Sequence, residues 1–303
     1  MAEQTELPSL TEWMGAIDDA TSIIELRGIP GTHNSAAIAP RYPYTQWAAW
    51  PWAKCQTASI QEQLEMGVRY FDLRLRSLPT CGTIVISHTL AAACSFEDVI
   101  LAFKRFLDAH PSEVVLCVMK RDWNHRREWR CAENASSNAV WTTLASVLGE
   151  RGLPPSDCPG AVTISALRGR VLPILHDDAL RATNRAVRRW TVAEAHARTW
   201  DCGAMSTARE ILVGSATRGY AAEMRRRKLL VRHETNVLLV KGVVLPCDVA
   251  RPMNQWLLRE LAPRGALESA DFGVLCVDFI DRTLARSIVA LNAAHLEASA
   301  CDR

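Results

Sequence analysis

The feature that most constrains this chain is the run Val114-Val115-Leu116-Cys117-Val118, followed at once by Met119, Lys120 and Arg121. A stretch this short with no polar alternation predicts a strand buried on both faces, which requires a layer of structure on each side of its sheet and is typical of parallel α/β folds. Further strand candidates fall at residues 23–29, leading into Gly31-Thr32-His33; at 68–75, after a helical 59–66; and at 83–86, ending in Ser87-His88. Residues 171–175, 237–240 and 273–277 complete the set. Helical periodicity fills the spaces between: Phe96–Ala109 with Ser95 placed to cap it, then 140–148 and, last, 283–295. Alternation of this kind predicts βαβ units.

The chain has 303 residues, 49% of them hydrophobic. A single α/β barrel of the TIM type takes about 250 residues, so the expectation is one irregular (β/α) barrel domain over residues 1–303, its site at the C-terminal ends of the strands. His33, Arg74, His88, Lys120, His176 and Asp278 all stand at or near such ends. If the strands close into one barrel, these residues share one mouth.

Singly, each has an ordinary explanation. A histidine at a strand end is more often a hydrogen-bonded structural residue, and Asp72 with Arg74, two apart on one face of a strand, could be only a buried ion pair. Together they are harder to dismiss. Two histidines, an arginine and a carboxylate supply the base, acid, fixed positive charge and orienting anion that phosphodiester cleavage without a metal requires.

The local sequences are more specific. Ile29-Pro30-Gly31-Thr32-His33-Asn34-Ser35 resembles the start of the X domain of phosphatidylinositol-specific phospholipases C. So do Gln56, Ser59-Ile60, Gln63-Leu64, Gly67-Val68-Arg69-Tyr70-Phe71-Asp72-Leu73-Arg74-Leu75, Ile84-Val85-Ile86-Ser87-His88, Phe106-Leu107 and Pro111-Ser112-Glu113-Val114-Val115. Residues 272–280, with Asp278, look like the family's closing strand. The likeness is dense over 29–120 and weak between about 177 and 235.

That resemblance implies that His33 is the general base that takes the proton of the inositol 2-hydroxyl, and His88 the general acid that protonates the departing diacylglycerol oxygen. It implies that Asp278 holds His33 in its useful tautomer, that Arg74 binds phosphate, and that Asp72 orients Arg74. The product would be an inositol 1,2-cyclic phosphate. No cofactor is implied.

The family has a calcium-dependent and a metal-free branch, and Asn34 has the identity found in the former. Arg74 and Lys120 stand where that branch places acidic ligands, and Ca²⁺ wants about six to eight oxygens, so metal independence is expected. Asn34 is then expected to hydrogen-bond near His88 or the substrate, and Lys120 to contact the substrate. His176 occupies the place of an inositol-gripping arginine, with Asp177 or Asp178 available for hydroxyl contacts. Cys55-Gln56 is similar to the branch that cleaves glycosylphosphatidylinositol anchors.

Partners follow from the same reading: a phosphatidylinositol-type lipid and, transiently, a membrane surface. Tyr42, Tyr44, Trp47, Trp50 and Trp52 crowd one connection at the presumed mouth, where Trp47, Trp50 and Trp52 could meet the bilayer interface or instead plug the rim. The net charge of +2 is spread, which argues against a nucleic-acid protein. The cluster Arg225-Arg226-Arg227-Lys228 reads as a solvated helix face. Residues 1–7 show no basic region leading into an apolar one, and the longest apolar runs are strand-sized. Ten cysteines lack CxxC spacing and read as free thiols in a reducing compartment. A cytoplasmic protein peripheral to its membrane is therefore expected. Against a glycerophosphodiester hydrolase, no glutamate cluster or His-Arg-Gly motif appears at these strand ends. A catalytically silent lipid-headgroup-binding module of the same fold, or a phosphodiesterase acting on another headgroup, stays open.

Overall fold

The computed structural model describes residues 8–41, 50–78, 83–88, 91–121, 137–152, 162–175, 192–196, 229–233, 245–263, 265, 272–293 and 295–296. In chain order the elements are β1 (Gly28–Thr32), α1 (Trp50–Ala53), α2 (Ile60–Glu65), β2 (Tyr70–Ser77), β3 (Ile84–His88), β4 (Ala91–Ser95), α3 (Phe96–Ala109) and β5 (Val114–Arg121). There follow α4 (Ser137–Leu148), α5 (Ile164–Leu167), β6 (Arg170–Leu175), β7 (Val192–His196), β8 (Leu229–His233), α6 (Pro246–Leu261), β9 (Gly273–Val277) and α7 (Arg282–Ala290).

The sheet runs β6-β5-β2-β1-β9-β8-β7, every neighbouring pair parallel. Read from β1, that order follows the chain around a ring and returns to β1 through β9, as in a TIM-type barrel. The barrel is irregular. Among the described residues no ladder joins β6 to β7, and β3 and β4 form an antiparallel flap on the far end of β2.

The apolar run in β5 is divided by its period of two. Val115, Cys117 and Met119 pack outward with Phe71, Phe96, Phe103 and Phe106 under the helices. Val114, Leu116 and Val118 pack inward with Tyr70, Leu172, Val274 and Cys276. Trp13, Met14, Ile17 and Ile23 belong to the same inner cluster, and Trp13 donates to the Gly67 carbonyl at 2.9 Å. The same parity places Asp72 and Arg74 on the inner face with Tyr70, and Lys120 with Val118. Gly31 is needed inside: a Cβ there would come 2.8 Å from Val274 Cγ1 and 2.9 Å from Tyr70 Cδ1.

Helix starts follow their caps. Ser95 Oγ accepts from the Asp98 N–H at 3.0 Å ahead of α3, and Ser59 with Glu62 forms a capping box ahead of α2. Beneath them Arg69, fully buried, pairs with Glu113 at 2.7 Å and donates to the carbonyls of Leu10, Thr11, Leu64 and Val68.

Several expectations are corrected. Residues 23–25 form a 3-10 turn instead of opening a strand, because the Glu25 carboxylate accepts from the Ser22 N–H at 2.9 Å and bends the chain. The helix expected over 283–295 breaks after Ala290. Beyond it the buried Asn292 turns back to β1, donating to the Gly28 carbonyl at 2.7 Å and accepting from the Arg27 N–H at 2.8 Å. His88 does not end a parallel barrel strand; it reaches the mouth on the antiparallel flap. β4, β7 and β8 were not anticipated. The strand expected at 237–240, the basic cluster at 225–228, Trp47, His176, Asp177 and Asp178 lie outside the described residues.

Candidate active site

His33 follows β1 and Asp278 follows β9, two neighbouring parallel strands whose register pairs Thr32 with Val277. The ladder runs one step further, with the His33 N–H donating to the Val277 carbonyl at 3.0 Å. Residues 245 positions apart are thus side by side, and His33 Nδ1 lies 2.9 Å from Asp278 Oδ1. A carboxylate there accepts the Nδ1 proton and leaves Nε2 with its lone pair. The side-chain amide of Asn34 stands 3.2 Å from that Nε2, on a residue in the left-handed region at φ 43 that asparagine tolerates.

His88 faces this pair from the flap. The ring centroids of His33 and His88 are 6.4 Å apart, the planes inclined by 73°. His88 Nδ1 is 2.8 Å from the Ala53 carbonyl of α1, which can only accept, so Nδ1 carries a proton and Nε2 is the exchangeable nitrogen. Asn34 Nδ2 lies 3.4 Å from His88 Nε2 and bridges the two rings, as expected of its position near His88.

Asp72 is fully buried beneath them. Arg74 donates to it through Nε, 3.1 Å from each carboxylate oxygen, and through Nη2 at 2.8 Å; Lys120 Nζ is 3.6 Å from Oδ1. Burial pushes this carboxyl up, but Arg74, then Lys120 and His33, pull it well below the usual carboxylate range. Two cations share the Asp72 carboxylate, and the Arg74 side chain keeps 24% exposure, so this cluster presents positive charge on its side of the cleft. An anion with several oxygens fits that charge.

Sequence reasoning missed three contributors. Gln56, fully buried, donates to the carbonyls of His33 and Val277 at 3.0 and 2.9 Å and accepts from the Ile280 N–H at 3.3 Å, so one side chain ties both strand ends. Asn254 of α6 donates to the carbonyls of Asp278 and Phe279 at 3.0 and 3.1 Å. Cys55 lies against the site, its Sγ 3.6 Å from Asn34 Nδ2 and 3.7 Å from His88 Nδ1. Burial, with help from Asp278, raises its thiol well above the ordinary value. The Cys55-Gln56 dipeptide was the available signal for two of these. Asn254 gave none, because nothing in a helical stretch marks a residue that reaches a distant turn. Of the expected membrane contacts, Trp50 is half-buried and Trp52 is 37% exposed.

Fold and site together define an α/β barrel of the TIM type with a paired-histidine cleft at the C-terminal ends of its strands. Residues 28–144 match the model of the phosphatidylinositol-specific phospholipase C X domain. The 1-phosphatidylinositol phosphodiesterase of Staphylococcus aureus is 30% identical over 118 residues, 37% of this chain and 34% of that protein. The enzyme of the same name from Listeria monocytogenes is 31% identical over 114 residues, 37% of this chain and 33% of that protein. These matches span about a third of each relative's length. The solved phosphatidylinositol-specific phospholipase C of Listeria monocytogenes superposes on 94% of this chain and 99% of its own with a TM-score of 0.72, at 20% identity. Over residues 28–144 the chain is thus similar to the X domain of that family.

Proposed function

We propose that the protein cleaves the phosphodiester of phosphatidylinositol, or of a glycosylated phosphatidylinositol, by two-histidine acid-base catalysis without a metal ion. The observation that carries this reading is the state of His33: Nδ1–H held by Asp278 at 2.9 Å, Nε2 turned to the cleft with a second imidazole across it.

The inositol 2-hydroxyl gives its proton to His33 Nε2 as its oxygen forms a bond to the neighbouring phosphorus. The bond from phosphorus to the glycerol oxygen breaks, and His88 Nε2–H protonates that oxygen. Diacylglycerol and inositol 1,2-cyclic phosphate leave. Asp278 stabilises the imidazolium formed on His33. Arg74, aimed by Asp72, and Lys120 neutralise charge on the phosphoryl oxygens. Asn34 Oδ1, buried and without a hydrogen-bond partner, is available to an inositol hydroxyl.

Metal independence rests on electrostatics. The carboxylate next to Asn34 is Asp72, already engaged by Arg74 and Lys120, and a hard cation beside those two charges is repelled. The lipid substrate makes a cytoplasmic protein peripheral to a membrane the fitting location.

The test is to incubate wild type and His33→Ala with phosphatidylinositol vesicles in excess EGTA and follow soluble phosphates by ³¹P NMR. A cyclic phosphate signal from wild type alone supports the mechanism. Activity that calcium must restore would return Asn34 to the metal ligands. Silence under both conditions would favour another headgroup or a silent headgroup-binding module.

A further inference from the structure

The cleft contains a second donor set that the acid-base mechanism does not use as such. One ring nitrogen of His33, Cys55 Sγ and a carboxylate oxygen of Asp278 all lie within 4.8 Å of one another, and all three residues are buried. Zinc bonds to nitrogen, sulfur and oxygen are about 2.0 to 2.3 Å, which separates tetrahedral ligands by about 3.5 Å. The three atoms, within 4.8 Å of one another, need to close by about 1 Å at most to reach that spacing.

We propose that His33, Cys55 and Asp278 form a binding site for Zn²⁺ that shuts the enzyme off. The donor set selects the metal. Thiolate and imidazole suit zinc and disfavour calcium and magnesium, which want oxygen cages. His88 Nδ1, though 3.7 Å from Sγ, is committed to the Ala53 carbonyl, which leaves the fourth position to a water molecule. This is the open, three-ligand pattern, in contrast to a closed structural site.

The ion and the reaction exclude each other. A zinc on His33 Nε2 takes the lone pair that accepts the substrate proton; one on Nδ1 sends the proton shared with Asp278 to Nε2, where it occupies that same lone pair. Asp278 then spends its charge on the ion in either case. Binding also releases the Cys55 thiol proton to solvent, since only the thiolate ligates. The Cys55 side chain takes no part in the proposed proton transfers and is a ligand in the metal state, which separates the two functions experimentally.

The inhibition arm rests on the proposed phosphodiesterase activity; the binding arm does not. Co²⁺ is titrated into the reduced, metal-stripped full chain, and the near-ultraviolet thiolate-to-cobalt absorption is read for wild type, Cys55→Ala and Cys55→Ser. The same proteins are assayed on phosphatidylinositol vesicles with Zn²⁺ and then with EDTA. Expected are a saturable band in wild type alone, and inhibition by Zn²⁺ that EDTA reverses and both variants escape. A second measurement needs no variant: X-ray absorption of the zinc-loaded wild type should show a single sulfur with nitrogen and oxygen neighbours. No band, a band that persists in both variants, a shell without sulfur, or zinc bound at Cys55 with full activity retained would each overturn the proposal. If wild type cleaves no phosphatidylinositol at all, the proposed function falls, and the cobalt band and the sulfur shell still decide the metal site.

Discussion

Asp278 Oδ1 meets His33 Nδ1 at 2.9 Å across two strand ends joined at the seam between the first and last strands of the barrel. The contact puts a negative charge behind the imidazole that the proposed reaction makes positive. Asp278→Asn keeps the size and removes the charge, and its amide can present the wrong group to Nδ1. The turnover number is expected to fall by about 10²- to 10⁴-fold with the melting temperature nearly unchanged. Vesicle assays paired with thermal denaturation check this. An unchanged turnover number would remove Asp278 from the mechanism.

Asp72 makes the acid limb of stability legible. Its carboxyl is raised by burial but lowered further by Arg74, Lys120 and His33, so its folded value lies below the unfolded one of about 3.9. The contribution is therefore complete above about pH 4 and is lost as pH falls from there through the folded value. Asp72→Asn should destabilise at neutral pH by less than the roughly 3–5 kcal/mol of a fully buried broken pair, since Arg74 keeps 24% exposure. Urea denaturation between pH 7 and 3 should also show a shallower acid slope in the variant. Equal slopes would mean that Asp72 is not held ionised.

How much of this was readable in advance depended on whether a residue's role was local. The two-sided burial of β5 follows from its unbroken apolar run, and α3 from Ser95 and its helical spacing, so both were foreseen to within a residue or so. His33 and Asp278 were placed at strand ends because each strand's own sequence ends there, whereas β2 continues past Arg74 to Ser77. β4, Ala-Ala-Ala-Cys-Ser, and β7, Val-Ala-Glu-Ala-His, carry residues poor in strand propensity, and the neighbouring strands override it. The flap that carries His88 was read as another parallel strand, since direction is set by the register with β2 and leaves no mark in a five-residue run. Gln56 joins three backbone groups from distant strands, which no local pattern encodes.

Gln56 is expected to act through position. Its amide holds the carbonyls of His33 and Val277 and receives the Ile280 N–H, so both members of the His33–Asp278 pair are tied to one buried side chain. Gln56→Leu leaves those backbone groups without partners, at about 1–3 kcal/mol each where water cannot enter. Stability should fall by a few kcal/mol, and the turnover number by about tenfold or more, from a misplaced base. Gln56→Glu, which keeps the Ile280 acceptor but loses the donors, should recover only part of each. A Gln56→Leu enzyme with native turnover would show that the strand ends hold their register unaided.

The short helix α1 links chemistry to surface. Its Ala53 carbonyl holds His88 at 2.8 Å, while Trp52, one residue earlier, stands 37% exposed, the exposed large hydrophobic side chain among the described residues. An indole at the rim of the proposed lipid-cleaving site favours the bilayer interface. Burying such a side chain is worth about 1.5–3 kcal/mol, so Trp52→Ala should weaken partition onto phosphatidylinositol vesicles by about tenfold or more. The rate on a soluble inositol phosphodiester should stay unchanged, because the Ala53 carbonyl is backbone and remains in place. Vesicle sedimentation alongside both assays separates the cases. Unaltered partition would assign Trp52 to the rim of the barrel, and a loss on the soluble substrate would mean that the helix itself had shifted away from His88.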